Sequence, residues 1–326
     1  MRRREFLAIG GAAAGWSATA QGQPAPTPVI GFLNAASPDG YAERLRGFRQ
    51  GLRDAGFVEN ENVTVKYRWA EHQTDRMSAM AAELVRRRVA VIVATGGNSA
   101  VDAAKDATKT IPVLFVTPDD PLTLGYVTSM ARPNGNLTGI NFLGTELNAK
   151  RLELLLDLVP AAKRVAVLWN PLGSASEIRL NEVRSAANSM GLQIQVFNAS
   201  SSRDIDVAFT AMARERADAF LFIPDPTFNG RRVQLVHLAT RHAIPAMYWQ
   251  REFTEAGGLI SYGSRIGDAF RQVGFYAGRI LKGDKVAELP VVRSDKFELV
   301  INHQTARILG VSVSPSLLAR ADEVIE

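Results

Sequence analysis

The chain has 326 residues, enough for two domains of ordinary size or for one large α/β domain. Hydrophobic residues make up 46% of it and charged residues 22%, which excludes a disordered or fibrous protein. The formal net charge is only +5, and no long basic cluster accompanies it, so we do not expect nucleic acid as a partner. Cysteine is absent, which excludes disulfides and cysteine nucleophiles.

The N-terminal residues have the pattern of an export signal. Three arginines are followed by an apolar stretch at 6–16 and by Ala-Thr-Ala at 18–20, where a signal peptidase would cleave. The apolar stretch is too short to span a bilayer, and Arg-Arg-Glu-Phe-Leu is typical of a twin-arginine signal, although the general secretory route stays open. We predict that residues 1–20 are a signal peptide. The mature protein is then expected in the periplasm, soluble and without a lipid anchor, because that anchor needs a cysteine.

From residue 29 onwards, short apolar runs alternate with amphipathic helical patterns. In the first half, apolar runs that predict strands lie at 29–33, 63–69, 89–94 and 113–116. The intervening patterns predict helices; in the first of them Leu45, Phe48 and Leu52 share one face. Alternating strands and helices with continuous apolar runs are typical of a parallel sheet that helices cover on both faces.

The second half of the chain repeats this order. Residues 164–170 correspond to 29–34, residues 219–226 to 91–98, and residues 245–249 to 112–120. The repeat predicts an α/β fold with two doubly wound, parallel-sheet lobes. Ligands of such sheets bind beyond the carboxyl ends of the strands, so polar residues at those ends are the candidates for a site.

Most sequence motifs of enzymes and cofactor sites are absent. We find no Gly-rich dinucleotide fingerprint, phosphate-binding loop, Gly-x-Ser-x-Gly elbow or His-Glu-x-x-His motif. The four histidines, His72, His237, His242 and His303, have no metal-binding or catalytic spacing. We therefore expect neither a metal nor another cofactor.

The segment Ala-Thr-Gly-Gly-Asn-Ser-Ala follows the predicted strand at 89–94. Gly97 lets the backbone approach a ligand, and Asn98 or Ser99 can begin the next helix, whose free amides would face an anion such as a carboxylate. A plain turn between strand and helix would have the same sequence, so both interpretations remain open.

Two neighbouring acids, Asp119 and Asp120, follow the strand at 113–116. A catalytic pair would need an opposing nucleophile or acid, and a metal site would need more oxygen ligands nearby; the sequence indicates neither. A carboxylate here could bind a ligand ammonium, and Asp225 ends a strand of the second half in the same way. Asp-Pro is also a common turn sequence, so a solvated turn stays an alternative.

Long blocks over essentially the whole chain resemble the ABC-transporter substrate-binding proteins of the tryptophan/tyrosine type, a branch of the type I periplasmic binding proteins. The blocks are RRREFL, the Asp-Pro after LFVTP, RPNGNLTGI (132–140), KRLELLLDLVP (150–160), VAVLWNP (165–171), YWQREFTEAGGLISYG (248–263), KFELVINHQTARILG (296–310) and PSLLARADEVIE (315–326). The resemblance implies a clamshell whose lobes close by hinge motion around a small solute, which is then delivered to an inner-membrane permease. It implies no catalysis.

The resemblance also implies domain bounds and ligand contacts. Lobe 1 would comprise 27–142 and about 264–290, and lobe 2 would comprise 143–263 and about 291–326. The contacts carried over are Ser37, Gly97, Asn98, Ser99, Thr117, Asp120, Asn170, Asp225, Tyr248 and Glu252. Asp119 departs from the family pattern, in which a small residue is more usual, and it receives no role.

Three functions remain at this stage. The first is a monomeric importer component that binds an amino acid, aromatic or branched, or a similar small zwitterion. The second is an exported α/β hydrolase that uses strand-end carboxylates. The third is a ligand-sensing protein that signals to a membrane receptor.

Overall fold

A computed structural model of the chain describes residues 27–144, 146–173 and 176–326. The predicted signal peptide at 1–20 lies outside the described residues. The described chain forms two β-sheets, each buried between helices, which confirms the prediction of two α/β lobes. No helix in these ranges is long and apolar enough to span a membrane.

The first lobe contains a sheet of six strands, all of them parallel. Its strands are β1 (Val29–Asn34), β2 (Thr64–Trp69), β3 (Val91–Thr95), β4 (Val113–Thr117), β5 (Leu137–Asn141) and β11 (Val292–Arg293), in the spatial order β2-β1-β3-β4-β5-β11. Its helices are α1 (Ala42–Asp54), α2 (Met77–Arg86), α3 (Asn98–Ala107) and α10 (Ile266–Leu281), with short 3-10 helices at Thr74–Arg76 and Val286–Glu288.

The second lobe contains a sheet of seven strands. They are β6 (Arg164–Trp169), β7 (Gln193–Asn198), β8 (Ala219–Phe222), β9 (Ala246–Tyr248), β10 (Ile260–Ser264), β12 (Phe297–Asn302) and β13 (Glu323–Ile325), in the order β7-β6-β8-β9-β10-β12-β13. All neighbours are parallel except β10 and β12. The helices are α4 (Asn148–Leu158), α5 (Ser176–Ser189), α6 (Ser202–Arg214), α7 (Pro226–Gly230), α8 (Arg232–Arg241), α9 (Arg251–Glu255), α11 (His303–Ile308) and α12 (Pro315–Leu318).

The chain passes between the two sheets three times. It leaves the first sheet after β5, returns between β10 and α10, and leaves again after β11. The sequence-based bound for the third passage, near Pro290, precedes β11. Val292 and Arg293 extend the ladder of the first sheet by pairing with Ile140 and Asn141, so this passage occupies residues 294–296.

Helix α10 returns to the first lobe and packs against α1 at very short range. Glycines on both helices make this possible, since a Cβ on Gly51 would lie 1.8 Å from the carbonyl oxygen of Arg271, and one on Gly274 would lie 2.1 Å from that of Phe48. Helix α10 begins directly after β10 of the second lobe. Its packing against α1 therefore anchors the second crossing of the chain to the first lobe.

The strand order of each sheet reverses once, between β1 and β3 in the first sheet and between β6 and β8 in the second. Loops that leave the carboxyl ends of these strands diverge at the reversal and open a crevice. In this molecule the two crevices face each other, and the residues that follow β1, β3, β6 and β8 meet between the lobes.

Candidate ligand-binding cleft

A cavity lies where the strand ends of the two lobes meet; we call it the inner cavity. It holds about 480 Å³ of atom-free space, including its mouth. Both lobes supply its lining: Tyr41, Arg44, Gly96, Gly97, Val116, Pro118, Phe142, Ile266 and Phe270 from the first, and Arg179, Pro224, Asp225, Pro226, Asn229, Trp249 and Gln250 from the second.

Aromatic rings form much of the inner cavity. Phe142 and Trp249 stack across the lobes, with ring centroids 5.8 Å apart and planes 26° apart. Tyr41 and Phe270 meet edge to face at 6.1 Å. The indole of Trp249 is oriented by a 3.1 Å hydrogen bond from Nε1 to Asn229 Oδ1. Such walls suit a flat, apolar group of a ligand.

Asp225 places a carboxylate on the cavity wall. It is the N-cap of α7, where its Oδ1 accepts the Thr227 amide at 2.8 Å and Asn170 Nδ2 at 3.1 Å. Pro226 at the first helical position matches this cap, because proline lacks the amide that would otherwise need a partner. Oδ2 receives no hydrogen bond from the described part of the chain, so one carboxylate oxygen remains for a ligand.

Arg179 of α5 reaches from the second lobe to Asp119 of the first. Its Nε donates to Asp119 Oδ1 at 2.7 Å, its Nη2 donates to Asp119 Oδ2, and its Nη1 donates to the Pro224 carbonyl at 2.7 Å. Burial opposes the charge on Arg179, but the hydrogen bonds and charge of Asp119 more than offset this and raise the pKa of the guanidinium. Asp119, which the sequence left without a role, therefore joins the two lobes.

A second ion pair also crosses the cleft, with its arginine on the first lobe and its carboxylate on the second. Arg44 of α1 lies 2.8 Å from Glu252 at the start of α9, and it donates a hydrogen bond to Gln250. Both Glu252 oxygens are buried and accept no hydrogen bond from the described residues, so Arg44 compensates their charge by proximity. In each pair the arginine lines the inner cavity and its carboxylate partner lies behind it.

Two further pockets flank the inner cavity. The first, here the Asn170 pocket, is lined among others by the polar residues Asn98, Ser99, Asn170 and Thr227. The second, here the Ser37 pocket, includes Ser37, Asp39 and Glu252. The inner cavity shares Arg179 and Asp225 with the first, and it shares Arg44 and Gln250 with the second.

His72 lines both flanking pockets and packs against the second lobe. A Cβ on Gly230 would lie 2.8 Å from His72 Nε2, so this glycine allows the close contact. The imidazole Nδ1 is buried without a hydrogen bond. Burial, followed by smaller effects of Asp225, which opposes the shift, and of Arg231, lowers the pKa of His72 below its ordinary value. No pattern in the sequence predicts that this histidine lies between the lobes.

The structure brings most of the sequence-predicted contacts to the cleft. Gly97 and Asp225 line the inner cavity, and Ser37, Asn98, Ser99, Asn170 and Glu252 line the flanking pockets. Thr117 is buried behind them, where its hydroxyl donates to Asn98 Oδ1 at 3.0 Å.

Two predicted contacts lie elsewhere. Asp120 lines none of these three cavities; its two oxygens accept the Leu122 amide and the Thr123 hydroxyl, which makes it a turn residue. Tyr248 is buried in the second lobe, where it stacks on Phe253 with centroids 5.1 Å apart. Trp249, the first residue after β9, lines the cavity instead.

Comparison with known proteins agrees with this architecture. The family model of ABC transporter substrate binding proteins matches residues 29–325. The chain belongs to this family. Its members are solute-binding proteins rather than enzymes, so the resemblance seen in the sequence is confirmed and the hydrolase alternative loses its support.

Individual relatives of this substrate-binding protein cover nearly its whole length. A tyrosine-binding protein from Clostridioides difficile is 26% identical over 288 residues, which are 86% of this chain and 81% of the relative. A conserved domain protein from Vibrio cholerae has a TM-score of 0.85 and 25% identity, over 91% of this chain and 99% of the other. The ABC domain from Streptococcus pneumoniae in complex with L-Trp has a TM-score of 0.83 and 25% identity, over 92% and 100%.

The described residues show no group of three or more histidines, aspartates or glutamates that could hold a metal ion. The polar groups of the cleft are instead a free carboxylate oxygen, two arginines and several amides. Such groups bind charged and hydrogen-bonding parts of an organic solute.

Proposed function

We propose that this substrate-binding protein binds an amino acid with an aromatic side chain in its inner cavity. The observation that carries the proposal is the composition of that cavity, in which stacked rings lie beside one free carboxylate oxygen and an arginine. An aromatic amino acid has the matching parts: a flat apolar ring, an ammonium and a carboxylate.

Asp225 is the acceptor for the ligand ammonium in this proposal. Its Oδ1 is occupied by the cap of α7, and its Oδ2 is the oxygen left for a charge-assisted hydrogen bond. The second acid of the sequence-based hypothesis, Asp120, is replaced in this role because its own turn uses both of its oxygens.

Arg179 and the N-terminus of α3 are the groups for the ligand carboxylate. Arg179 donates to the carbonyl of Pro224, the residue before Asp225, so the cation and the free carboxylate are neighbours, as the head of an amino acid requires. Gly97 lies at the start of α3 and lines the same cavity, and helix amides there favour an anion.

The ligand ring would lie among Phe142, Trp249, Tyr41 and Phe270. Two relatives support an aromatic ligand, since one carries the name tyrosine-binding protein and the other was solved with L-Trp.

The wider role follows from the family and from the N-terminal sequence. We infer that residues 1–20 direct export, that the mature protein acts as a monomer in the periplasm, and that it delivers its ligand to an inner-membrane permease of an ABC importer. The family match supports the transport role, and the arginine-rich, apolar start of the chain supports export.

A thermal-shift screen tests the proposed ligand class. The protein is unfolded, dialysed and refolded to remove any bound solute, and is then heated with each natural amino acid, with sugars and with nucleosides. A ligand at a hundredfold excess over Kd adds about 2.7 kcal/mol to the free energy of unfolding, which for lobes of this size raises Tm by roughly 5–10 °C. We expect that shift with L-tryptophan or L-tyrosine. A shift with sugars or nucleosides only would contradict the proposal.

A further inference from the structure

The ion pair between Asp119 and Arg179 is the end of a chain of hydrogen bonds that begins in the first lobe. Thr117 donates to Asn98 Oδ1 at 3.0 Å, and Asn98 Nδ2 donates to Asp119 Oδ2 at 2.6 Å. Asp119 then accepts two hydrogen bonds from the guanidinium of Arg179. Each member of this chain is buried, and Asn98 of the first lobe, together with Arg179, holds the carboxylate of Asp119 in place.

Arg179 keeps donors for a further partner. A guanidinium has five N–H groups in a rigid plane. Two of them donate to Asp119 and a third donates to the Pro224 carbonyl, so two remain without an acceptor among the described residues. Arg179 is only 3% exposed, and it lines both the inner cavity and the Asn170 pocket. A carboxylate is the partner that a planar pair of guanidinium N–H groups recognises best.

We propose that Asp119 is a positioning residue that orients Arg179 toward the carboxylate of the bound amino acid. This inference rests on the proposed function, which it extends to a specific recognition step. Because Asp119 belongs to the first lobe and Arg179 to the second, the complete carboxylate site exists only when the lobes are closed. Recognition of the ligand carboxylate therefore requires closed lobes. Asp225 on the second lobe can bind the ligand ammonium whether the lobes are open or closed.

The two N–H groups that Arg179 keeps distinguish this arrangement from a simple structural ion pair. With Asp119 in place, the buried charge of the guanidinium is compensated, and its plane is held where it can donate to a ligand carboxylate. Without Asp119, Arg179 would lose this buried counter-ion and the two hydrogen bonds that fix its plane. A ligand that lacks a carboxylate would not use this plane, so its binding should depend much less on Asp119.

The test compares an amino acid with its decarboxylated amine. Refolded wild type, Asp119→Asn and Asp119→Glu are titrated by calorimetry with L-tryptophan and, in competition, with tryptamine; L-tyrosine and tyramine replace them if they bind more tightly. For Asp119→Asn we expect the affinity for the amino acid to fall roughly tenfold or more, and that for the amine to change by less than about threefold. Asp119→Glu keeps the charge and should restore part of the preference for the amino acid.

The control is Asp157→Asn, which breaks an exposed ion pair with Arg320 on the second lobe and should leave both affinities unchanged.

Equal losses for amino acid and amine would overturn the inference, because Asp119 would then only hold the lobes together. An unchanged amino-acid affinity would overturn it as well. If Asp119→Asn does not fold, Arg179→Lys removes the planar fork and must show the same selective loss. A wild type that binds neither compound rejects the proposed function itself.

Discussion

Gly97 of the first lobe meets Pro226 of the second so closely that no side chain fits between them. A Cβ on Gly97 would lie 2.9 Å from Pro226 Cγ, and the backbone there has a φ of +133°. Both residues line the inner cavity. The two lobes therefore approach each other closely at residue 97, and this approach requires a glycine there.

Gly97→Ala should weaken ligand binding by disturbing this contact. The added methyl group forces Pro226 away, and overpacking of this kind reduces affinity on the order of tenfold. Small-angle scattering of the variant with ligand should show a larger radius of gyration than that of the wild type with ligand. Gly135→Ala is a matched control, because Gly135 also has a positive φ, +95°, but a Cβ there meets nothing within 4 Å. Equal effects of the two substitutions would mean that backbone strain alone is responsible.

Asp225→Asn should remove the charge that binds the ligand ammonium while keeping the cap of α7. Asparagine is as good an N-cap as aspartate, so the Thr227 hydrogen bond is retained and the melting temperature should change little. We expect the affinity for an aromatic amino acid and for its amine to fall together, by roughly tenfold or more. This pattern differs from the selective loss expected for Asp119→Asn, and calorimetry distinguishes the two.

Asp120→Asn serves as the adjacent negative control. Asp120 accepts hydrogen bonds from Leu122 and Thr123 within its own turn, and asparagine can still accept the bond from the Leu122 amide. Ligand affinity should therefore stay within about twofold of wild type, as for most surface substitutions away from a site. A large loss of affinity would return Asp120 to the ligand contacts that the family resemblance implied.

His72 should make the folded protein less stable in mild acid. Burial lowers the pKa of His72, so the folded chain binds fewer protons at this site than the unfolded chain, whose histidine has a pKa of about 6.5. The stabilising contribution is complete above that value and is lost as the pH falls through the lower, folded-state pKa.

Denaturant unfolding at pH 7.5 and pH 5.5 measures this dependence. His72→Asn should flatten it, and asparagine suits the backbone because the φ of residue 72 is +66°. His237→Asn, at an exposed position on α8, should leave the pH dependence as it is in wild type. An identical slope in wild type and His72→Asn would show that His72 does not carry the effect.

The fold could be predicted from the sequence because its signals are local. Apolar runs such as 113–116 coincide with buried parallel strands, and the repeat of strand and helix in both halves anticipated two lobes. The loops of the cleft, such as those that contain Gly97 and Asp225, could also be located from the sequence, because the carboxyl ends of parallel strands lie at one edge of a sheet.

The residues that line the inner cavity were harder to predict because their positions depend on side-chain direction and on pairs that form only in three dimensions. A shift of one residue along β9 decides whether Tyr248 or Trp249 faces the cavity. Asp119 and Asp120 are adjacent in sequence, yet one crosses the cleft and the other completes a turn. Arg179 lies within an ordinary helix, 60 residues from Asp119, and no local pattern distinguishes it from other helical arginines.

Calorimetric titration of the refolded wild type with L-tryptophan and L-tyrosine tests directly whether the inner cavity binds an aromatic amino acid. We predict saturable binding of at least one of them at one site per chain, with clearly weaker binding of the matching amine and of the analogue that lacks the ammonium. Absence of binding heat with both amino acids at millimolar concentration, for a protein whose melting temperature rises with another class of solute, would contradict it.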